Sequence, residues 1–341
     1  MKILLIGPYP PPHGGVSVHV AEIAQRLTAA GVPTKVIDTA RVQSWSGFAA
    51  ALIHHALRRW TIHLHTNGHN RRSWLLALGC GLAGLAAEGS VLTLHSGLVP
   101  EYLTAASFPD RLLAKLVCAV YSRIICVSPA IRDSIVQLGV PDRRVELAPA
   151  YLGAKRPPAA IDRNLRPWIL AHRPVLSTAL FFRPEYGFEA LVAAVVRLRR
   201  RHPSLGCLVM GAGEQRDLAE TLVREAGLET HVLLLGDVKH ETCLRLMSMS
   251  DVFVRPTLRD GDSISVREAL ALGVPVVASR TASRPAGPIL FEPGHVDGMI
   301  SGIDMALAGN WRAAAPQPDS MDRLMAVYRR VVAHEGAYGS S

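Results

Sequence analysis

Cysteine is scarce and unpaired in this sequence, with five residues at 80, 118, 126, 207 and 243. The odd count, wide spacing and missing Cys-x-x-Cys pairs exclude a disulfide framework and a zinc knuckle; thiols set in apolar runs read as core side chains of a reducing compartment. Aromatic residues make up 6% of the chain, and no aromatic-basic interleaving, zinc-finger or helix-turn-helix signature speaks for nucleic acid. No apolar run reaches the roughly 20 residues that span a bilayer. The longest candidate, Trp74 to Ala87, has 14 residues including three glycines, and reads as a buried helix or a face that meets a membrane. The opening Met1-Lys2-Ile3-Leu4-Leu5-Ile6-Gly7 is too short before Pro8 for a signal peptide and reads as a β-strand. Gly-x-Gly-x-x-Gly does not occur after it, so NAD and FAD gain little support.

What is present suits a globular α/β protein: 341 residues, 49% of them hydrophobic, with 28 glycines and 23 prolines. That length accommodates two domains of roughly 150 residues. The net charge of +9 is uneven: residues 1–153 hold 14 basic and 8 acidic groups, the remainder 23 and 20. The excess in the first half favours an anionic lipid surface or a phosphorylated substrate as partner. Arg58, Arg59, Arg71 and Arg72, near Trp60 and Trp74, form the evident patch.

Strand and helix patterns alternate along the chain. A strand at Ile3–Ile6 precedes the loop Pro8 to Gly15, a helical pattern from Ser17 to Ala30 and a strand at 34–37, the start of a βαβ unit. Prolines stiffen the first loop, and Gly14 and Gly15 leave helix amides open to a ligand. Strands recur near 62–65, 91–95 and 124–127, and the polar residues His65, Thr66, Asn67 and His95 follow from their carboxyl ends, where an open parallel sheet binds ligands. His95 stands out, since an imidazole there can hydrogen-bond a sugar hydroxyl or phosphate without changing protonation; a packed histidine is the alternative. A second βα series starts with a strand at 175–182 and runs to 252–254, with glycine turns at Gly211-Ala-Gly213 and Gly236-Asp-Val238. A terminal helix follows, from Ser320 to His334, after a loop at 311–318. These patterns divide the chain into a first domain at 1–153, a linker at 154–172, a second domain at 173–310 and a tail at 311–341 able to pack back on the first domain.

The densest chemistry lies in Asp260-Gly-Asp-Ser-Ile-Ser-Val-Arg-Glu268, two carboxylates eight residues apart ahead of the strand pattern Val274–Ala278. Glu268 is placed at the head of an Ala/Leu helix ending at Gly273 and Pro275, either binding sugar hydroxyls or simply capping the helix. Asp260 with Asp262 forms an Asp-x-Asp whose neighbours, Gly, Ser and Ile, offer a metal too few oxygens.

Gly7-Pro-x-Pro with Gly14-Gly15, the block Pro256–Ser279, Val209-Met-Gly-Ala-Gly213 and Leu235-Gly-Asp-Val238 together resemble the retaining glycosyltransferases of family four. The resemblance covers almost the whole chain. It implies the GT-B fold, two Rossmann-like doubly wound α/β domains facing across a cleft, with acceptor on the first and nucleotide-sugar donor on the second. Carried over, Gly14, Gly15 and Ser263, Ile264 and Ser265 face the donor phosphates. His95 touches the transferred sugar, Gly213 and Val238 lie near the nucleotide, and Glu268 holds the ribose. Asp260 stands where the family has its first glutamate, one methylene shorter. His13, His65 and Asn67 are assigned to the acceptor. Phe181 and Tyr186 occupy the family's Arg and Lys positions for the leaving diphosphate, a loss that Arg183 could offset in part. The implied reaction retains anomeric configuration, uses no metal or bound cofactor, takes the nucleotide-sugar as co-substrate and transfers to a glycan or lipid-linked acceptor in the cytoplasm or at the inner membrane face. A nucleotide-sugar epimerase and a non-catalytic partner in glycan assembly remain as alternatives.

Overall fold

The computed structural model describes residues 1–153, 165–281, 283–312, 315 and 318–336. Residues 154–164 of the expected linker and parts of the expected 311–318 loop lie outside the described residues. Among the described residues, twelve strands make two six-stranded sheets. The first contains β1 (Ile3–Gly7), β2 (Thr34–Asp38), β3 (Thr61–Thr66), β4 (Ser90–Leu94), β5 (Arg123–Cys126) and β6 (Val145–Leu147) in the order 2-1-3-4-5-6. The second contains β7 (Val175–Ala179), β8 (Gly206–Met210), β9 (Val232–Gly236), β10 (Val252–Arg255), β11 (Val276–Ser279) and β12 (Ile289–Phe291) in the order 12-11-10-7-8-9. Every strand pair is parallel. Crossover helices therefore cover both faces of each sheet; the central strands are buried, whereas the edge strands β2, β9 and β12 are largely half-buried.

Period-two alternation sorts the first sheet's side chains. Ile62 and Leu64 of β3 face one core, shared with the helices at 45–57, 71–84 and 108–120. His63 and His65 alternate with them and turn to the opposite face, where the helices Gly15–Ala29 and Met321–Gly336 pack. The terminal helix starts one residue later than its sequence pattern and seats Leu324, Val327, Tyr328 and Val331 on the first sheet. The chain thus crosses between the two sheets twice. The crossings lie side by side, since the Ser320 amide donates to the Tyr151 carbonyl at 3.1 Å.

Several boundaries move. The segment expected to link the domains contains a helix at Leu165–Ala171, and its Ile169 is buried against Val175 and Leu208 of the second sheet. Strand β7 stops at Ala179 rather than Phe182, because the chain turns through a 3-10 segment, Pro184–Tyr186, that closes on left-handed Gly187 (φ 69°).

Candidate functional site

Strand order reverses between β1 and β3 in one sheet and between β7 and β10 in the other, and ligands bind outside the carboxyl ends of strands at such points. The two reversal points face each other across a cleft holding a cavity of about 430 Å³. His13, Gly14, Gly15, Asn67, His95 and Arg183 line it, together with Val238, Asp260, Ser263, Ile264, Ser265 and Glu268. Residues more than 240 positions apart meet here because both sheets present their carboxyl edges inward. A wider groove of about 930 Å³ runs along the outer side of helix Gly15–Ala29 and shares His13 and His240 with the cleft.

Two expected contacts are absent from the cavity wall. Gly213 packs beneath the turn, where a Cβ would come within 2.5 Å of the Phe182 amide nitrogen, so closeness of backbone to backbone explains that glycine. His65 is fully buried behind His95. Its Nδ1 lies 3.1 Å from His95 Nε2, which makes it a support for His95 rather than a wall residue.

The first helix opens at Gly15, two residues before its sequence pattern, so the glycine pair is its N-terminus. Gly15 has open space around its α-carbon, whereas Gly14 is covered by an aromatic ring: a Cβ there would lie 2.5 Å from Phe181 Cζ. The Gly14 amide donates to Ser17 Oγ at 2.9 Å, so it is occupied. The helix Ile264–Ala271 points a second N-terminus at the cavity, with Ser263 as its cap residue. Ser263, Ile264 and Ser265 thus open a helix instead of forming a loop. Glu268 is the fifth residue of that helix, a full turn from its head, and the expected position beside unpaired amides is corrected accordingly. Its carboxylate accepts from His240 Nε2 at 2.6 Å.

Asp260 is committed to a buried cluster. Arg255 Nε and Arg284 Nη1 reach its Oδ2 at 2.9 and 2.8 Å, and Thr257 Oγ1 donates to the same oxygen at 3.2 Å. Burial alone would raise its pKa; the charges and hydrogen bonds of Arg255 and Arg284 bring it down to about 2. Two guanidinium groups against one carboxylate leave the cluster one positive charge in surplus. Arg255 lines the cavity, donates to the Ala179 carbonyl at 2.5 Å and lies 5.2 Å over the Tyr186 ring. Arg183 is half exposed, pairs with Glu214 at 3.2 Å and rests 5.9 Å from the Phe181 ring. Asp262, fully enclosed, accepts from Arg267 Nε at 2.6 Å and from the Ala150 amide at 2.9 Å.

Polar contacts cross the cleft around these groups. Asp237 of the second domain accepts from the His13 amide at 2.7 Å and sits 3.2 Å from its Nδ1, while Arg259 pairs with Glu101 at 3.0 Å. Gly97 and Gly261 let the His95–Gly97 and Asp260–Gly261 loops touch backbone to backbone, with no room for a Cβ on either.

Beneath His95 lies a polar interior. His19 meets the rings of His65 and His95 edge-on, with centroids 5.5 and 5.3 Å away. His63 is hydrogen-bonded to Tyr328 Oη at 2.6 Å and Thr93 Oγ1 at 2.7 Å. Burial lowers the pKa of His19 to about 4 and of His63 to about 3, and burial with the neighbouring imidazoles takes His65 and His95 well below the usual value. All four are therefore neutral at pH 7. Among the described residues, His19, His65 and His95 are the group whose ring nitrogens converge, within 4.8 Å of one another, as metal ligands would.

Sequence reasoning left Arg284 and His240 unassigned. Nothing local marks either: each reaches its carboxylate from a different element, 24 and 28 residues away. Arg255 did have a signal, a cation closing the buried run Val252–Val254 at the edge of the sheet.

Residues 173–287 match the family model described as glycosyl transferases group 1. Among curated relatives, the chain is 27% identical over 250 residues to a 2-deoxystreptamine N-acetyl-D-glucosaminyltransferase of Streptomyces fradiae, covering 69% of this chain and 58% of that one. It is 29% identical over 171 residues to a GDP-mannose-dependent phosphatidylinositol monomannoside mannosyltransferase of Mycolicibacterium smegmatis, covering 46% and 45%. The chain thus spans about half the length of these relatives. Among solved structures, the Anabaena protein HepE in complex with UDP-glucose superposes with a TM-score of 0.71 at 16% identity, covering 99% of this chain and all of that one. Sucrose-phosphate synthase from Thermosynechococcus elongatus superposes with a TM-score of 0.69 at 19% identity, covering 99% and 98%. The protein has the GT-B fold, two Rossmann-like domains facing a cleft, and its second domain is related in sequence to the group 1 glycosyl transferases.

Proposed function

We propose that the protein is a retaining glycosyltransferase that moves a sugar from a nucleoside diphosphate to an acceptor hydroxyl without a metal. One observation carries the reading: two helix N-termini, at Gly15 and at Ser263–Ile264, aim at one interdomain cavity that Glu268 also lines. Helix N-termini favour phosphate, and a carboxylate beside them suits ribose hydroxyls. HepE was solved with UDP-glucose in the same fold, and the mycobacterial relative uses GDP-mannose, so a nucleoside diphosphate sugar is the donor class to test first.

As the bond from the anomeric carbon to the diphosphate breaks, its electron pair passes to the phosphate oxygen. The acceptor oxygen bonds to the same carbon on the same face, and its proton goes to that phosphate oxygen. No side chain need act as nucleophile. The protein supplies fixed dipoles for the growing phosphate charge and a closed cleft, with neutral His95 at the sugar, Val238 at the base, and His13 and Asn67 toward the acceptor. With Phe181 and Tyr186 uncharged, the surplus positive charge of the Arg255–Asp260–Arg284 cluster takes over at the diphosphate, Arg183 adding to it from the rim. The relatives' named acceptors include an aminocyclitol and a phosphatidylinositol glycan, which leaves a small glycan and a lipid-linked sugar as acceptor classes.

The test is a mass-spectrometric transfer screen of UDP- and GDP-sugars against both acceptor classes, with anomeric configuration of the product read by NMR. A glycoside of the donor's configuration supports the proposal. Conversion of donor alone into an isomeric sugar nucleotide identifies an epimerase. Phe181 lying on Gly14 favours a second reading, a binding protein without turnover, which predicts donor binding with no product.

A further inference from the structure

Three neighbouring helices on one face of the first sheet expose apolar stripes that the fold does not use. Helix Trp45–Leu57 turns Trp45, Ala49, Ile53 and Leu57 outward at four-residue spacing, with Trp45 67% and Leu57 70% exposed. Helix Arg71–Gly84 exposes Leu75 and Leu82, and Leu85 follows directly after it. Helix Phe108–Val120 exposes Phe108, at 79%, with Leu112 and Leu116. The inward residues of these same helices, among them Leu52, Trp74 and Val117, already fill the core, so the outward leucines are surplus to folding. Helix Arg71–Gly84 packs against both of the others, which sets the three stripes side by side. Contiguous exposed apolar area of this kind marks an interaction site.

Charge selects the partner. Arg58, Arg59, Arg71, Arg72, Arg111 and Lys115 are exposed on or next to the three helices, and Asp110 is the single acidic residue within them. Asp110 is itself held by Arg71 at 3.5 Å and Ser107 Oγ at 2.8 Å. A second copy of this face would bring like charges together. Apolar side chains ringed by arginine and lysine instead match the boundary of an anionic bilayer, where acyl chains take the leucines and headgroup phosphates take the cations. We propose that this three-helix face docks the protein on an anionic phospholipid membrane.

The surface is also placed to serve the cleft. Leu98 lines the cavity, and one short helix, Val99–Ala105, about 10 Å long at the rise of an α-helix, leads from it toward Phe108. An acceptor anchored in the bilayer beside Phe108 would be delivered to the cavity's edge; this last point rests on the transferase reading, whereas the docking does not.

Vesicle sedimentation tests it on the full chain. Liposomes of phosphatidylcholine with about one third phosphatidylglycerol are compared with pure phosphatidylcholine at low and high salt. The expected result is binding to the anionic vesicles, weakened but not abolished by salt because the apolar contact remains. Leu57→Asp and Phe108→Asp, both at exposed positions, each reduce partitioning by about tenfold or more with an unchanged circular dichroism spectrum. Wild-type protein left in the supernatant, or variants that sediment equally well, overturns the proposal. So does a wild-type dimer in analytical ultracentrifugation that the two variants dissociate, which would make the face a self-association surface. None of these readings depends on turnover, so a failed transfer screen and a failed docking surface are told apart.

Discussion

Asp260 shows how a motif position can survive while its chemistry changes. In the resemblance it is the acid that meets the donor sugar, yet both its oxygens are spent on Arg255 and Arg284. Asp260→Asn keeps the shape but leaves two buried guanidinium groups facing each other without a counter-charge, so it should lower stability by about 3 to 5 kcal/mol, read from the urea midpoint. A variant as stable as wild type but weak in donor binding would restore the sugar-gripping role. Glu268→Ala removes the acceptor of the His240 ring and so should also lower stability, and it is expected to lose about 1.5 to 3 kcal/mol in nucleotide binding by calorimetry. The spacing of 260 and 268 was legible because both fall in one contiguous block. Their partners were not, since Arg284 and His240 arrive through the fold and carry no sequence signature. Gly14 adds a related case, its pairing with Gly15 being readable and the Phe181 ring above it not. Gly14→Ala should push that ring aside and lower both stability and turnover, whereas Gly15→Ala meets open space and should act on turnover alone.

Strand β3 illustrates how far periodicity reaches. Alternation placed the strand, but two of its inward residues are histidines, and their burial inverts the usual expectation for imidazole. Because the folded pKa values of His19, His63, His65 and His95 lie below the unfolded value near 6.5, the unfolded chain binds more protons between the two. Stability is therefore complete above pH 6.5 and falls as the pH drops from 6.5 toward 3. For His19 and His63 this costs on the order of 2 kcal/mol each at pH 5, and His65 and His95 act in the same direction, so the thermal midpoint should decline between pH 7 and pH 5. A flat profile across that range would mean that these rings are solvated. The same cluster gives metal independence a direct check: chelation with EDTA should leave transfer unchanged, and a loss restored by zinc would assign the metal to His19, His65 and His95. The end of helix Ile264–Ala271 was legible but its start lies four residues earlier than the sequence reading, which moved Glu268 from the head to the second turn. The helix starts in the polar Ser263–Ser265 stretch, ahead of the Ala/Leu pattern that catches the eye.

The alternation of strands and helices, with polar residues after strands, was enough to indicate two doubly wound units and the cleft between their carboxyl edges. The tail's return to the first domain was legible as an apolar stripe on the terminal helix, though not the polar contact of Tyr328 with His63. What no local pattern could supply was the latching of the two domains. Asp237→Ala removes the acceptor for both the His13 amide and its ring, and should enlarge the radius of gyration measured by small-angle scattering in the absence of donor. An unchanged radius would leave Ala150–Asp262 and Glu101–Arg259 as sufficient clasps. The hydrogen bond of the Ser320 amide to the Tyr151 carbonyl ties the chain's return to its departure, so any opening of the cleft must carry both segments together or break that bond.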